Sequence, residues 1–323
     1  MIAVLLRVAV IGGLLGGLAV TFLGMLVDRW PFLELLNHFR PVIVICAIAL
    51  AGLALLTQRR PLVITAVLIA LANIALFGSA LQGFAAAPSA GNERFIRVVT
   101  YNMWLFNRKL SHIAQFINAA NADFAVLQEV LPWQREKLHM LIQERYPYVI
   151  GDSDVVIYSK HPPLENEQLE APKFQGYPRR SMILWATFDV KGVMFDLAGL
   201  HLAYPFNPRE QAADMPKLTE FARERERPLI IAGDFNLTPW SVKLQRFTQE
   251  SGLKRFNTFI PTWPMNKLRP FVAIDNIFAS PEFAAISVEA GPPIGSDHRP
   301  LVADVALTRQ VDETHITRAA NYP

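Results

Sequence analysis

Two stretches decide how this chain is read: Pro228-Leu229-Ile230-Ile231-Ala232-Gly233-Asp234-Phe235-Asn236 and Ser296-Asp297-His298-Arg299-Pro300-Leu301-Val302-Ala303-Asp304-Val305. In the first, an apolar run ends in Gly-Asp-Phe-Asn; in the second, an Asp-His pair opens on an apolar run. Short apolar runs bounded by Gly, Pro, Asp and Asn are the sequence form of β-strands. Each therefore delivers carboxylate, amide or imidazole groups at a strand end, on the rigid support that a metal-assisted hydrolase needs.

Working outward, further strands are expected at Phe95–Tyr101, Phe124–Gln128, Val155–Tyr158, Met182–Phe188, Met194–Leu200, Leu229–Ala232, Ala273–Phe278 and Leu301–Val305. Helical spacing marks Leu110–Ala120, Gln134–Arg145, Pro208–Arg225 and Ser241–Glu250. Strands outnumber helices, and two of them adjoin with no helix between. That order favours an α/β sandwich of stacked sheets over a purely doubly wound sheet.

Upstream the composition changes. Residues 8–27 form a charge-free apolar stretch, 41–56 a shorter one and 62–84 a third. A bilayer core needs about 20 apolar residues per helix, so the first and third qualify outright and the second qualifies with tilt or flanking residues. Three membrane helices are expected, two as the fallback, making residues 1–84 a membrane anchor. A cleaved signal peptide is the rival reading of the first stretch, but its apolar run is too long and two more follow. Residues 85–93 read as a linker, 94–308 as one catalytic domain and 309–323 as a polar tail.

Arg7, and Arg59 with Arg60 in the tight link before the third stretch, favour a cytoplasmic location for those ends. The catalytic domain is then periplasmic or extracellular, on a multi-pass protein of the inner (plasma) membrane. Arg29 and Arg40 argue the other way. Of 31 Lys and Arg and 28 Asp and Glu, five and two fall in residues 1–91. The remaining 26 of each cancel, so the catalytic part has no bulk positive field to gather a polyanion. The lone cysteine, Cys46, excludes a disulfide framework within the chain.

The chemistry-bearing candidates gather at strand ends: Asn102, Glu129, His201, Asp234, Asn236, Asp297 and His298. Asp275 lies inside the apolar run Ala273–Phe278, where an unpaired acid would be costly. Oxygen donors from Asn102, Glu129, Asp234 and Asp297 suit magnesium or manganese better than zinc. His38, His112, His139 and His161 stand outside this pattern. Trp240 and Trp263 read as packing residues.

Thr100-Tyr101-Asn102, Leu127-Gln128-Glu129-Val130, Gly199-Leu200-His201, Gly233-Asp234-Phe235-Asn236, Ile274-Asp275-Asn276-Ile277-Phe278 and Ser296-Asp297-His298-Arg299-Pro300 resemble, in order, the motifs of the endonuclease/exonuclease/phosphatase superfamily. The resemblance implies a four-layer αββα sandwich of the deoxyribonuclease I-like type. It implies Glu129 as principal metal ligand, helped by Asn102 and Asp297, with magnesium or manganese as the cofactor. His298 held by Asp275 would act on the attacking water or orient the phosphate. His201 would stabilise the phosphorane or protonate the leaving oxygen, and Asp234 and Asn236 would position the nucleophile and a phosphate oxygen. Arg180 falls where family members place an arginine that touches substrate phosphate. Asn276 replaces a frequent histidine and is expected to face away from the site.

The expected protein is a membrane-anchored, metal-dependent phosphoesterase, foremost a phosphodiesterase or endonuclease. A lipid head-group phosphodiesterase or phosphatase, sphingomyelinase- or inositol-phosphatase-like, is the alternative, and a catalytically silent membrane scaffold a third reading. Its partners are a phosphoester substrate, either nucleic acid or lipid head group, and the bilayer; no protein partner is implied.

Overall fold

The computed structural model describes residues 1–78, 94–152, 154–170, 181–257, 259–265 and 270–308. The linker 85–93, the tail from 309 and Arg180 lie outside them.

The chain begins with α1 (Ile2–Leu23), a 3₁₀ turn (Pro31–Leu33), α2 (Glu34–His38), α3 (Arg40–Leu56) and α4 (Arg60–Gly78). Helices α1 and α4 are long and apolar enough to cross a membrane; the segment Pro31–His38 with α3 makes a third candidate span, bent by 58°. Their contact is built from small side chains and Val10, Leu14 and Ile69, with Ala47, Ala54, Ala66 and Ala70 letting the backbones approach. Outward, Leu15, Ile45, Leu56 and Leu68 stay exposed, an apolar outer surface suited to hydrocarbon.

The remainder alternates strands and helices: β1 (Ile96–Asn102), α5 (Leu110–Ala120), β2 (Phe124–Val130), α6 (Pro132–Ile142), β3 (Tyr148–Ile150), β4 (Asp154–Ser159), β5 (Pro163–Glu170), β6 (Ser181–Val190), β7 (Val193–His201), α7 (Pro208–Arg223), β8 (Leu229–Asp234), α8 (Val242–Ser251), β9 (Lys254–Arg255), β10 (Asp275–Ala279), β11 (Phe283–Ala290) and β12 (Leu301–Leu307). They form two six-stranded mixed sheets, β11-β12-β1-β2-β4-β3 and β5-β6-β7-β8-β10-β9.

Side chains alternate along each strand, so each sheet has two apolar faces to bury. The inner faces meet in a core of Val98, Phe124, Val126, Ile157, Phe188, Phe195, Leu197 and Ile230. On the outer faces, α5 and α6 cover the first sheet through Ile113, Ile117 and Leu138, and α7 and α8 cover the second through Leu218, Phe221 and Phe247. The result is the four-layer αββα sandwich of the deoxyribonuclease I-like type. Gly199 makes the close approach possible: a Cβ there would come within 2.6 Å of Val126 and 2.8 Å of Val155 on the opposite sheet.

All eight strands expected from the sequence are present, with ends shifted by a few residues. Strands β3, β5, β9 and β11 were not foreseen. Pro163-Leu164-Glu165-Asn166-Glu167-Gln168 is mostly polar and exposed, as suits a strand at the sheet edge, and β9 has two residues. The helix expected at 134–145 begins earlier, with Pro132 in its first turn, and ends at Ile142.

Candidate active site

The site is assembled by strand register. In the second sheet β7 runs parallel to β8, with His201 beside Asp234, and β10 runs antiparallel to β8, with Asp275 beside Asp234. Three chemistry-bearing residues thus stand abreast at one sheet end. In the first sheet β1 and β2 run parallel and bring Asn102 beside Gln128, next to Glu129.

Glu129 reaches the site through an irregularity. Between Leu127 and Val130 the β2–β4 ladder gains a residue on β2. Such a bulge re-aims a side chain. Glu129 adopts φ +57°, and Asp154 on the facing strand φ +56°. Both occupy the left-handed region that non-glycine residues rarely enter, and Asn236 joins them at +50°. Asp and Asn enter this region more readily than other side chains, so Glu129 is the strained member of the three, at the point where the bulge aims it into the site.

Asn102 links the sheets: its Nδ2 donates to Glu129 Oε1 and to Asp234 Oδ2, each at 3.1 Å. Glu129 also accepts from Tyr204 Oη at 2.8 Å and from the Leu105 N–H at 3.2 Å. Burial raises the Glu129 carboxyl pKa, but His201 and these donors more than offset it, so the group stays ionised below the usual range.

Two imidazoles are each gripped by an acid. His298 Nδ1 lies 2.8 Å from Asp275 Oδ2, and its Nε2 lies 3.7 Å from Asp234 Oδ2. His201 Nδ1 lies 3.1 Å from Asp154 Oδ1, and its Nε2 is 4.0 Å from both Glu129 and Asp234. Burial pulls His298 down, but Asp275 and Asp234 outweigh it and push its pKa up to about 10. For His201 burial again lowers and Asp154 chiefly raises, to about 9. Burial and then the charge of Asp275 push Asp234 up to about 6.

Asp297 is half-buried beside this group. Its Oδ2 accepts from Trp263 Nε1 at 3.1 Å, while Ser296 Oγ donates to the Asn102 carbonyl at 2.7 Å and ties the β12 entrance to β1. Asn276 points to the other side of β10, accepting from Asn257 Nδ2 at 3.3 Å. The structure thus brings Asn102, Glu129, His201, Asp234, Asn236, Asp275, Asp297 and His298 to one end of the paired sheets. It adds Asp154, Tyr204 and Trp263, none assigned a role from sequence. Asp154 stands in Asp152-Ser153-Asp154-Val155-Val156 at the head of an expected strand, the same signal that singled out Asp234. Trp263, read as packing, instead donates to a candidate ligand.

The donor set fits a hard divalent cation. Glu129, Asp234, Asp275 and Asp297 converge, and among the described residues no lysine or arginine forms an ion pair with any of them. Asp275 Oδ1 and His201 Nε2 are buried without a hydrogen-bond partner. Asp234, Asp275 and His298 form a buried group capable of holding a metal ion, their ligand atoms all within 4.8 Å of one another.

The model of the Endonuclease/Exonuclease/phosphatase family matches residues 99–298. No curated protein matches the chain. Among solved structures, an endonuclease/exonuclease/phosphatase from Bacteroides vulgatus is 20% identical, with a TM-score of 0.56 over 66% of this chain and 98% of that one. A mannosyl-6-phosphatase from Bacteroides thetaiotaomicron is 17% identical, with a TM-score of 0.55 over 66% and 100%. TDP2 from D. rerio, complexed with single strand DNA product, is 18% identical, with a TM-score of 0.55 over 65% and 98%. At these identities the likeness is one of fold.

Proposed function

The chain belongs to the endonuclease/exonuclease/phosphatase family, and on that footing we propose that it is a membrane-anchored, divalent-metal-dependent phosphodiesterase that hydrolyses its ester by water attack at phosphorus. One observation carries the reading. Buried carboxylates without a lysine or arginine partner among the described residues surround two acid-held imidazoles, the arrangement that charge neutralisation and proton transfer at a phosphate demand.

In this reading Glu129, with the oxygens of Asn102 and Asp297, holds magnesium or manganese. When bound, the ion neutralises nonbridging phosphate oxygens. Asp234, poised near 6, takes a proton from the attacking water, and the Asn236 amide helps to hold that water. His298, kept protonated by Asp275, holds a phosphate oxygen. His201, kept protonated by Asp154, gives its proton to the leaving oxygen as the P–O bond breaks. Arg180 would add a contact to the phosphate.

Exposed Trp104, Phe106 and Tyr204 stand next to the Asn102 and Glu129 contacts and offer faces on which a base could stack, which favours nucleic acid. A lipid head group is the second reading, favoured by the contact between the Asn236 turn and the juxtamembrane helix. Full-length protein in detergent with magnesium, offered plasmid, RNA, sphingomyelin and phosphoinositide, tests both. Nicking of plasmid or cleavage of RNA is expected. Hydrolysis of lipids alone overturns the nuclease reading, and turnover of nothing overturns the enzyme.

The same helices bear on orientation. Arg40 is buried against Asn37 and Asn73, which leaves Arg29 as the exposed cation of the first loop that argues the other way. Arg7, Arg59 and Arg60 remain at the opposite end of the bundle, which supports a catalytic domain outside the cytoplasm.

A further inference from the structure

The segment joining the first two apolar helices reaches the active-site turn. Arg40, at the start of α3, donates through Nη2 to Asn37 Oδ1 at 2.5 Å and through Nη1 to Asn73 Oδ1 of α4 at 3.2 Å. Asn37 donates to the carbonyl of Gly24 at 2.9 Å, and Asn73 to Thr21 Oγ1 at 2.8 Å. These bonds cross-link the end of α1, α2, the start of α3 and α4. A Cβ on Gly24 would fall 2.5 Å from Asn37 Oδ1, so the close approach needs a glycine. Helix α2 is thus fixed to the bundle rather than free to swing.

From α2 the buried ring of His38 extends into the catalytic domain. Its Nδ1 lies 3.1 Å from the Glu34 carbonyl, and its Nε2 lies 3.3 Å from the carbonyl oxygen of Asn236. The same oxygen accepts from Gln211 Nε2 at 3.2 Å. Asn236 has φ +50°, its N–H donates to Asp234 Oδ1 at 2.8 Å, and its Nδ2 donates to the Leu202 carbonyl at 3.0 Å. Asparagine enters the left-handed region readily, so what fixes this unit is the set of bonds to its amide, side chain and carbonyl. Here one of the clamps comes from the membrane module. Two further contacts flank it: Arg246 with Asp28 at 2.9 Å, and Phe77 edge-on to Trp240 at 5.8 Å.

We propose that His38 is a positioning residue of the active site, and that the juxtamembrane helix is a fixed part of the catalytic unit rather than a tether. Acting through the Asn236 carbonyl, it holds the Asp234–Asn236 turn in the orientation the reaction uses. The inference rests on the reading of Asp234 and Asn236 given above.

The test uses full-length protein in detergent micelles, with bis(4-nitrophenyl) phosphate as a soluble probe and hydrogen exchange over residues 234–241 as a second readout. His38→Ala is expected to lower kcat about ten- to a hundredfold with KM nearly unchanged, and to speed exchange of the Asn236 amide while the sheet cores stay protected. His38→Gln, which keeps a donor, is expected to restore both in part. Arg246→Ala, which breaks an exposed ion pair at the same interface, is expected to leave both unchanged. Unaltered exchange in His38→Ala overturns the inference, as does unaltered kcat. If the unmodified protein turns over no phosphoester, the proposed function fails, while the exchange comparison still decides this one.

Discussion

Asp234 and Asp275 stand directly opposite one another across the β8–β10 ladder, both fully buried, with His298 against the two of them. Like charges so opposed repel, and burial deepens the repulsion. The imidazole between them is the local compensation.

Above about pH 6.5 the stability of the metal-free protein should therefore fall as pH rises. His298 and His201 have folded pKa values of about 10 and 9 against an ordinary 6.5, and Asp234 has about 6 against 3.8. Each group holds its proton more tightly when folded. Its stabilising contribution is complete below the unfolded pKa and is lost as pH passes the folded one. The thermal midpoint in chelator should decline as pH rises from about 6.5 toward 10; near pH 4 the Asp234 step is opposed by Glu129 and Asp123, which give up their protons more readily when folded. Manganese should flatten the upper part, because cation binding displaces protons and strengthens with pH. Scanning calorimetry with and without metal reads this directly, and a midpoint in chelator that climbs over that upper range would contradict it.

Two substitutions locate the cation. Glu129→Gln should abolish the manganese binding isotherm and lower kcat by at least about a hundredfold. Asp275→Asn should retain binding but lower kcat by roughly 10²–10⁴, since His298 loses the anion that keeps it charged. The reverse pattern, binding lost with Asp275→Asn and kept with Glu129→Gln, would put the ion among Asp234, Asp275 and His298 instead.

His201 and Asp154 should be revealed by leaving-group dependence. If the His201 proton goes to the departing oxygen, His201→Ala should slow alkyl esters by roughly 10²–10⁴ and 4-nitrophenyl esters far less, because nitrophenolate departs without a proton. Asp154→Asn should show the same selectivity in milder form, since it acts only through the 3.1 Å contact to His201 Nδ1. Equal losses on both ester types would assign His201 to phosphate binding.

What the sequence disclosed, and what it hid, follows from how far apart the interacting residues lie. Apolar runs ending in Asp, Asn or His are local patterns, so the strands that carry Asn102, Glu129, His201 and Asp234 could be read directly, and the ordered motifs indicated the stacked sheets. The pairing of β7, β8 and β10 that sets His201, Asp234 and Asp275 abreast is not local, and only the folded register displays it. The bulge that turns Glu129 inward has no glycine or proline to announce it. His38 carries no local signal, because its partner is the backbone oxygen of Asn236, 198 positions away. An exposed strand such as Pro163–Glu170 escapes a pattern built on apolar residues, since the edge of a sheet tolerates charge.

Gly233 offers a test in which steric and conformational effects separate. It pairs with Leu200 across the β7–β8 ladder, and a Cβ there would overlap the Leu200 carbonyl oxygen. Backbone cannot move aside as a side-chain tip can, so Gly233→Ala must push β8 away from β7, at about 1–3 kcal/mol or more. Gly192, in the β6–β7 turn at φ +81°, has open space around its Cβ position, and Gly192→Ala carries only the left-handed backbone penalty of about 1–2 kcal/mol. Chemical denaturation should rank Gly233→Ala as the more destabilising. Because Asp234 follows directly, the displacement should also move its carboxylate off Asn102 and His298. Activity should therefore fall in Gly233→Ala at temperatures where the protein is still folded, whereas Gly192→Ala should lose stability alone. Equal effects on activity would mean that the end of β8 tolerates movement, and that the register holding Asp234 between His201 and Asp275 is looser than the ladder implies.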